Sequence, residues 1–377
     1  MTLAPPAGLD KAEVVERSPP LKSIPRTEPS QWTTLGVLGV LVVLVNVGAL
    51  ASEAPLLRLA RYQFAPTAAS IIVYEDAPRA DVMFMGSSRA LFGLDPAVAS
   101  DEVTASTGAQ VRALNIAIAG GATDMNYLIL KNVIDRAKQP RIVVYGLAEF
   151  ELMQVPNYDP CRFPYFALLL RWDDSAVCTQ TGLNDRLDFI AEQLAPMYRD
   201  RELIRSGLSL LLNPDDVFSN LYHSGTGRVA LRDDGFGTWP PNLPVDERTR
   251  AATRAGILAY LSKFQLDPAR VARLDDFLTL AKQRGIEVIL VSMPVPPEFL
   301  QLWDDGASID RFDAQVHGIA QAHAVALVDL YANLADGTLP ADAFIDLHHL
   351  TPDGAAIVTR LIADEYLAPR LKFAANS

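Results

Sequence analysis

Five short apolar runs, separated by stretches with a helical pattern, constrain the fold of this chain most strongly. We predict strands at Val82–Met85, Ala113–Ile118, Ile142–Tyr145, Val288–Ser292 and Ala326–Asp329. Helices are predicted at Pro96–Ser106, Asp124–Lys138, Pro268–Arg284, Asp310–Ala322 and Pro352–Tyr366. Strands that are apolar throughout, without polar alternation, are typical of a parallel sheet covered by helices on both faces. The pattern therefore predicts an α/β fold, a flavodoxin-like three-layer sandwich with a central parallel sheet.

Composition narrows the functional classes. The chain has 377 residues, of which 50% are hydrophobic and 21% charged, so it is long enough for a large folded domain with additional segments. Its formal net charge is −12, and no basic stripe is present, which disfavours nucleic acid as a partner. The two cysteines and five histidines lack the spacing of a metal site. We therefore expect no bound metal and no other cofactor.

An uncharged apolar segment, Trp32–Ala51, has the length of a membrane-spanning helix. Residues 1–31 are rich in proline and charge, which predicts a disordered cytoplasmic tail. Basic residues are more numerous before the segment than directly after it, which favours a single-pass inner-membrane protein with its C-terminal part outside. We predict a transmembrane anchor at 32–51, a neck at 52–80 and a periplasmic, extracytoplasmic domain at 81–377. Ala49-Leu50-Ala51 also fits a signal-peptide cleavage site, so removal of the anchor stays open.

The alternation of strands and helices is interrupted between about residues 151 and 250. The stretch is too long for a connection inside a compact α/β domain, so we interpret it as an insertion. It either shapes access of substrate to the sheet edge or is a helical cap with a packing role only. Cys161 and Cys178 both lie in it. An oxidising compartment permits a disulfide between them, worth roughly 3 kcal/mol, and separate buried thiols are the alternative.

Two short motifs, one near each end of the predicted domain, hold the groups that activate a serine. Gly86-Ser87-Ser88-Arg89 follows the first predicted strand, and Asp346-Leu347-His348-His349 precedes the last predicted helix. A serine hydroxyl is a weak nucleophile unless a histidine takes its proton and an acid orients that histidine. Both motifs fall at the carboxyl ends of parallel strands, where ligands of such sheets bind. We therefore expect the two motifs to meet.

Spacing selects among the competing groups of the second motif. His349 is favoured over His348 as the base, because a turn from i to i+3 brings the Asp346 carboxylate to Nδ1 and leaves Nε2 for the serine. Asp342 and Asp353 compete for the acid role, but Asp353 falls in the first turn of a predicted helix, where an acid is common anyway.

These motifs resemble the SGNH (GDSL-like) hydrolase superfamily, and within it the membrane-anchored bacterial members that serve polysaccharide or teichoic-acid acylation. The resemblance covers roughly residues 80–150 and 250–370. It implies Ser88 as the nucleophile, with Ser87 as the rival that the block alignment disfavours, and Asp346 and His349 as its partners. Residues 115–120 are similar to the second family block, which implies that the N–H groups of Ser88 and Gly120 form an oxyanion hole.

The third family block is where the chain departs from the pattern. The family has Gly-x-Asn, and this chain has Gly146-Leu147-Ala148, so the side-chain amide that would complete the oxyanion hole is missing. Loss of one such donor costs about 10²–10³ in turnover. The nearby residues Arg89, Gly121 and Glu149 are candidates for contact with substrate, although a structural salt bridge is the competing role for Arg89.

The resemblance implies serine-dependent acyl transfer outside the cytoplasm, with O-acetylation or acylation of a cell-envelope or secreted polysaccharide as the leading expectation. The partners would be the acyl acceptor, the membrane and a multi-pass membrane protein that supplies the acyl group. Two alternatives stay open: a plain esterase or deacetylase, and a non-catalytic glycan-binding component of a polysaccharide synthesis or export complex.

Overall fold

The computed structural model of the chain describes residues 31–63, 66–154, 166–178, 183–201, 204–205, 230–238, 247–303, 307–331 and 339–375. The strands are β1 Val82–Gly86, β2 Ala113–Asn115, β3 Ile142–Leu147, β4 Ala230–Leu231, β5 Gly237–Thr238, β6 Glu287–Ser292 and β7 Ala326–Asp329. The first helices are α1 Gln31–Gln63, α2 Pro66–Asp76, α3 Ser88–Gly93, α4 Pro96–Thr107, α5 Thr123–Leu128, α6 Glu149–Leu152, α7 Ser175–Cys178, α8 Leu183–Leu194 and α9 Pro196–Arg199. The later helices are α10 Glu247–Leu261, α11 Pro268–Gln283, α12 Pro297–Leu300, α13 Ala307–His323, α14 Pro352–Ile362 and α15 Ala368–Ala375.

Five of the strands form one parallel sheet in the order β2-β1-β3-β6-β7. The register places Val82 of β1 beside Ala113 of β2 and beside Ile142 of β3. This is the strand order of flavodoxin-like folds, in which ligands bind where the order reverses, here next to β1. The predicted α/β fold with a central parallel sheet is confirmed.

Both faces of the sheet are covered, which explains why the strands carry no polar alternation. In β1, Met83 and Met85 belong to one hydrophobic core, whereas Val82 and Phe84 belong to a second one. The first core includes side chains of α5 and α11, and the second includes side chains of α4 and α14. Alternate residues of one strand therefore face two helical layers, which makes the three-layer arrangement.

Two helices begin with a side-chain cap followed by proline. The Asp95 carboxylate accepts hydrogen bonds from the N–H groups of Ala97 and Val98 at the start of α4. Thr351 Oγ1 accepts one from the N–H of Gly354 at the start of α14. Each cap is followed by proline, whose missing N–H leaves no unsatisfied donor in the first turn.

Two predicted elements end earlier than expected. Strand β2 stops at Asn115 instead of Ile118. The N–H groups of Ile116 and Ile118 still donate to the carbonyls of Phe84 and Gly86, whereas the N–H of Ala117 between them donates to Asn115 Oδ1 at 2.9 Å. The helix predicted to reach Lys138 changes to a π-helical turn at Ile129–Val133 and ends there.

Parts of the predicted neck and insertion are built into the domain. Helix α2, in the predicted neck, buries residues 71–74 in the first core. The β4–β5 hairpin, from the predicted insertion, lies against the end of β2, where the N–H of Asn115 donates to the carbonyl of Asp234 at 2.8 Å. Gly235 is required at that contact, because a Cβ there would overlap the Asn115 carbonyl and its φ is +84°. Arg232 fixes the hairpin to Asp95 at 2.6 Å.

The chain divides into two compact units, Met1–Val45 and Asn46–Ser377, and the strands all lie in the second. Helix α1 includes the predicted span Trp32–Ala51, although side chains such as that of Trp32 are outside the described part. Among the residues that are described, no helix combines the length and the apolar character needed to cross a membrane. The predicted tail up to residue 30 and the predicted disulfide partner Cys161 also fall outside the described residues.

The close approach of β1 and β3 gives a test of the fold. We expect Gly86→Ala to destabilise the protein by at least about 3 kcal/mol, because φ at Gly86 is +134° and a Cβ would overlap the Gly146 carbonyl. The matched control is Gly108→Ala, where φ is +73° but no atom lies within 4 Å, so the cost is about 1–2 kcal/mol. Urea unfolding of both variants measures the difference, and equal destabilisation would contradict this packing.

Candidate active site

The first motif presents Ser88 where β1 ends. The N–H of Gly86 donates to Asn126 Oδ1 at 3.0 Å, which fixes the turn from behind, and α3 begins at Ser88. Ser87 is fully buried, whereas Ser88 is partly exposed. Only Ser88 of the two therefore reaches the carboxyl edge of the sheet with an accessible hydroxyl.

The second motif folds into a compact loop held by its own aspartate. Asp346 Oδ1 accepts the backbone N–H groups of His348 at 2.8 Å and His349 at 2.7 Å. Its other oxygen, Oδ2, lies 2.8 Å from Nδ1 of His349. An antiparallel bridge between Phe344 and Leu350 closes the loop on both sides. One carboxylate thus fixes the backbone of His348 and His349 and the imidazole of His349.

The structure brings the two motifs together. Nε2 of His349 lies 2.9 Å from Oγ of Ser88, across 261 residues of sequence. Because the Asp346 carboxylate can only accept a hydrogen bond at Nδ1, Nε2 is the nitrogen left to accept the serine proton. The alternative acids Asp342 and Asp353 make no contact with this imidazole among the described contacts, so Asp346 is the residue that orients it.

An aromatic ring holds the edge of the imidazole. Phe92 of α3 packs against His349 with ring centroids 5.4 Å apart and an interplanar angle of 80°. A Cβ on Gly237 of the β4–β5 hairpin would lie 2.5 Å from the Phe92 ring, so the hairpin backbone rests directly on that ring. The hairpin therefore contributes to the position of the base without touching it.

Charges around the loop favour an ionised acid and a neutral second histidine. Burial by itself would raise the pKa of Asp346, but the nearby His349 and His348 and the hydrogen bonds to its oxygens hold that pKa well below its usual range. Burial lowers the pKa of His348 to about 3, and repulsion from His349 acts in the same direction. The His348 ring lies 3.9 Å from that of His349 between centroids, so it packs on the base as a neutral ring.

The loop after β2 lies directly against the nucleophile turn. The N–H of Ile118 donates to the carbonyl of Gly86 at 3.0 Å, and the exposed Gly120, with φ +72°, follows at once. Within the described residues, the N–H groups of Ser88 and Gly120 donate to no acceptor. Both are therefore available to an oxyanion. Gly121 differs from its predicted role: it is buried, and its N–H donates to the Ile118 carbonyl at 2.8 Å.

The loop after β3 offers no third donor. Ala148 is fully buried, and its N–H donates to Glu151 Oε1 at 3.2 Å. The hydroxyl of Tyr145 lies 2.9 Å from the other oxygen of Glu151. Burial raises the pKa of Glu151 to about 8, and the hydrogen bond with Tyr145 opposes that rise. At neutral pH this carboxyl group is therefore mostly protonated behind the site.

Arg89 and Glu149, predicted as candidates for substrate contact, instead bind each other. The guanidinium makes two hydrogen bonds to the carboxylate, at 2.7 and 2.5 Å, and the side chains are 1% and 0% exposed. The Tyr331 hydroxyl adds a third bond to Glu149 at 3.2 Å, and the guanidinium carbon lies 5.0 Å from the centre of the Phe299 ring. The competing interpretation, a structural salt bridge, describes this pair. Because Arg89 directly follows Ser88 in the chain, this ion pair supports the turn that carries Ser88.

Two groups of side chains lie close enough to share a cation. One is Asp346, His348 and His349, of which Asp346 and His349 already hydrogen-bond to each other. The other is Asp313, His317 and Asp329, on α13 and at the end of β7. The sequence analysis proposed neither group as a cation site. The second group combines residues from two separate elements, which spacing along the chain does not reveal.

Several supporting residues escaped the sequence analysis. Asn126 and Phe92 act through tertiary contacts, and no local pattern marks such residues. Glu151 did have a signature: it stands three residues after Ala148, at the spacing of a capping box, and its oxygen accepts the Ala148 N–H.

Comparison with known proteins gives structural neighbours only. No family model and no curated protein matches the chain. A putative acylhydrolase from Bacteroides fragilis is 13% identical, with 77% of this chain and 90% of that chain covered and a TM-score of 0.34. A GDSL-like lipase from Bacteroides thetaiotaomicron is 13% identical, with 75% of this chain and 85% of that chain covered and a TM-score of 0.33. A variant of an acetyl-xylooligosaccharide esterase from Geobacillus is 15% identical, with 77% of this chain and 94% of that chain covered and a TM-score of 0.37.

The buried ion pair predicts strong coupling between two substitutions. Arg89→Met leaves the Glu149 carboxylate buried without its cation, so we expect it to cost about 3–5 kcal/mol of unfolding free energy. Arg89→Met combined with Glu149→Leu should recover most of that loss, because neither charge then remains. Arg360→Met is the control, since its ion pair with Glu102 is exposed and worth at most about 1 kcal/mol. Urea unfolding of Arg89→Met, Glu149→Leu, the double variant and Arg360→Met gives all four values, and additive losses at Arg89 and Glu149 would contradict the pair.

The raised pKa of Glu151 predicts a pH dependence of stability. The folded protein keeps this proton up to about pH 8, whereas the unfolded chain releases it near the ordinary value of 4.5. The folded state therefore binds more protons between these values, and stability falls as pH rises through that window. Over the whole window the loss is on the order of 5 kcal/mol. Glu151→Gln, measured beside the parent protein by urea unfolding from pH 5 to pH 9, should remove that part of the decline. Parallel curves for the two proteins would show that the parent buries an ionised carboxylate there.

Proposed function

We propose that this protein is a serine-dependent acyl-transfer enzyme of the SGNH type, which cleaves an ester through a covalent acyl-serine. The observation that carries the proposal is the hydrogen-bonded series from Ser88 Oγ to His349 Nε2 and from His349 Nδ1 to Asp346. A partly exposed serine, a histidine in the required tautomer and an ionised acid form the set that nucleophilic acyl transfer needs.

The chemistry follows from that order. Ser88 Oγ attacks the ester carbonyl while His349 Nε2 takes the proton, and Asp346 stabilises the resulting imidazolium. The N–H groups of Ser88 and Gly120 bind the oxyanion. His349 then returns the proton to the leaving alcohol, which departs and leaves the acyl group on Ser88. A second hydroxyl compound, water or a sugar alcohol, enters, loses its proton to His349 and takes the acyl group from the serine. His349 returns that proton to Ser88 Oγ, which restores the starting site.

A hydroxyl group of a cell-envelope or secreted polysaccharide is the proposed acceptor, outside the cytoplasmic membrane. Support comes from the resemblance of the motifs to envelope acylation proteins and from the uncharged segment Trp32–Ala51. On this view the acyl group comes from a multi-pass membrane protein, and the oxidising compartment permits the disulfide between Cys161 and Cys178.

One observation favours a second function, a non-catalytic glycan-binding component of an envelope complex. Ala148 supplies no amide to the oxyanion hole, and its N–H is occupied by Glu151. A hole with two backbone donors is weaker by the contribution of the third, about 10²–10³ in turnover. Reactivity at Ser88 separates the two functions, because a binding module has no need of an activated serine.

Labelling with a fluorophosphonate tests the nucleophile. The full chain should be labelled at Ser88, and Ser88→Ala should abolish labelling and the hydrolysis of p-nitrophenyl acetate while the urea midpoint stays unchanged. Ser87→Ala is the matched control, and it should keep both activities because its hydroxyl is buried away from His349. Asp346→Asn should lower the rate by about 10⁴, because the imidazole is then held in the wrong tautomer. An unlabelled parent protein would support the glycan-binding function instead.

The acceptor is tested by competition between water and sugar. With an activated acetyl ester as donor and an oligosaccharide added, mass spectrometry should detect acetylated sugar formed at the expense of free acetate. Ser88→Ala should form neither product. If acetate is the sole product at every sugar concentration, the enzyme is a plain esterase.

A further inference from the structure

Helix α8 presents an apolar stripe to the outside of the protein. Its exposed side chains are those of Leu183 (72%), Leu187 (54%), Ile190 (42%) and Leu194 (68%). The spacing of four, three and four residues puts all of them on one face of the helix. At 1.5 Å per residue the stripe is about 16 Å long.

The opposite face of α8 is buried although it carries a charge. Phe189 and Glu192 are 4% and 2% exposed, and the Glu192 carboxylate pairs with Arg201 Nη1 at 2.9 Å. A helix on the surface of a water-soluble domain has the reverse arrangement, with its apolar face inward and its charges outward. Large exposed apolar patches mark binding surfaces, so the orientation of α8 indicates an apolar environment on its outer side.

The surroundings of the stripe identify that environment. Met197 of α9 is 43% exposed, and its N–H donates to Asn46 Oδ1 at 3.2 Å. Asn46 and its exposed neighbour Val47 (57%) belong to a run that carries no charged residue from Gln31 to Ser52. The residue that Met197 contacts therefore belongs to a sequence with the composition of a membrane span.

An exposed tryptophan lies beside the same helix. Trp172 is 55% exposed, and its ring packs edge-on against Phe189 of α8 at 6.2 Å between centroids. Tryptophan is enriched at the boundary between water and lipid, where its ring is apolar and its N–H is hydrogen-bonded. Its position fits a helix that lies in that boundary.

We propose that α8 is a membrane-contact helix, with the Leu183–Leu194 stripe and Trp172 inserted into the headgroup and upper acyl region of a lipid bilayer. Interfacial helices of this kind insert about 5–10 Å. The contact would add a second attachment to the proposed anchor and hold the domain in one orientation on the lipid surface. This proposal rests on the proposed function in one respect, the location of the protein at a membrane.

Spin labels test the proposal in the full chain, reconstituted in phosphatidylcholine vesicles. Ile190→Cys, in a background with Cys161→Ser and Cys178→Ser, carries the label on the stripe, and Ala314→Cys on the exposed side of α13 is the matched control. Collisions with lipid-soluble oxygen should exceed those with a water-soluble nickel chelate at position 190, and the order should reverse at position 314.

A second measurement leaves the cysteines in place. Fluorescence of the parent protein minus that of Trp172→Phe isolates the emission of Trp172, which should shift to shorter wavelength and be quenched in vesicles of brominated phosphatidylcholine. A label at 190 that is accessible to nickel, or shielded from both reagents because protein covers it, would overturn the proposal, and so would Trp172 emission unaffected by brominated lipid. Fluorophosphonate labelling of Ser88 in the same vesicles is independent of these readings, so failure of the contact and failure of the catalytic proposal are distinguishable.

Discussion

The parallel pairing of β1 with both β2 and β3 is the constraint on which the site depends. Gly86 is the last residue of β1 that pairs with β3, and its carbonyl accepts the N–H of Ile118 from the segment that continues β2. The loops after the three strands are therefore held against one turn, and Ser88 is placed beside Gly120 before any substrate arrives. The loop of Asp346 and His349 comes from the far end of the chain and contacts this turn through the bond between His349 and Ser88.

Beneath the loops of the site the protein buries polar groups. They contribute little to the stability of the fold but fix the geometry of the site. The Arg89–Glu149 pair has to offset the desolvation of two charges, so its net contribution to stability is small, but removing either partner is expensive. Glu151 meets the same cost by keeping its proton, as its raised pKa shows. Both groups sit under the loops that carry Ser88 and Ala148, where a small displacement would separate the serine from its base.

The sequence predicts the frame of this site well because local patterns determine it. Apolar runs predicted the strands β1, β6 and β7 to within a residue, and the Asp346 to His349 spacing predicted the contact between that carboxylate and Nδ1 of the imidazole. It could not predict that Arg89 and Glu149 pair, since the two residues are joined only by the fold. The early end of β2 was also not predicted, because the apolar run continues to Ile118 and the bond from the Ala117 N–H to the Asn115 side chain is not visible in composition.

The most direct test of the central claim is the chemical identity of the acylated residue. The protein is mixed with an activated acetyl ester, quenched in acid during turnover and digested for peptide mass spectrometry. The geometry of the Ser88–His349 contact predicts an acetyl group on the Ser88 hydroxyl in the parent protein and none in His349→Ala. Turnover without an acyl-enzyme, or acetyl on Ser87 instead, would contradict it.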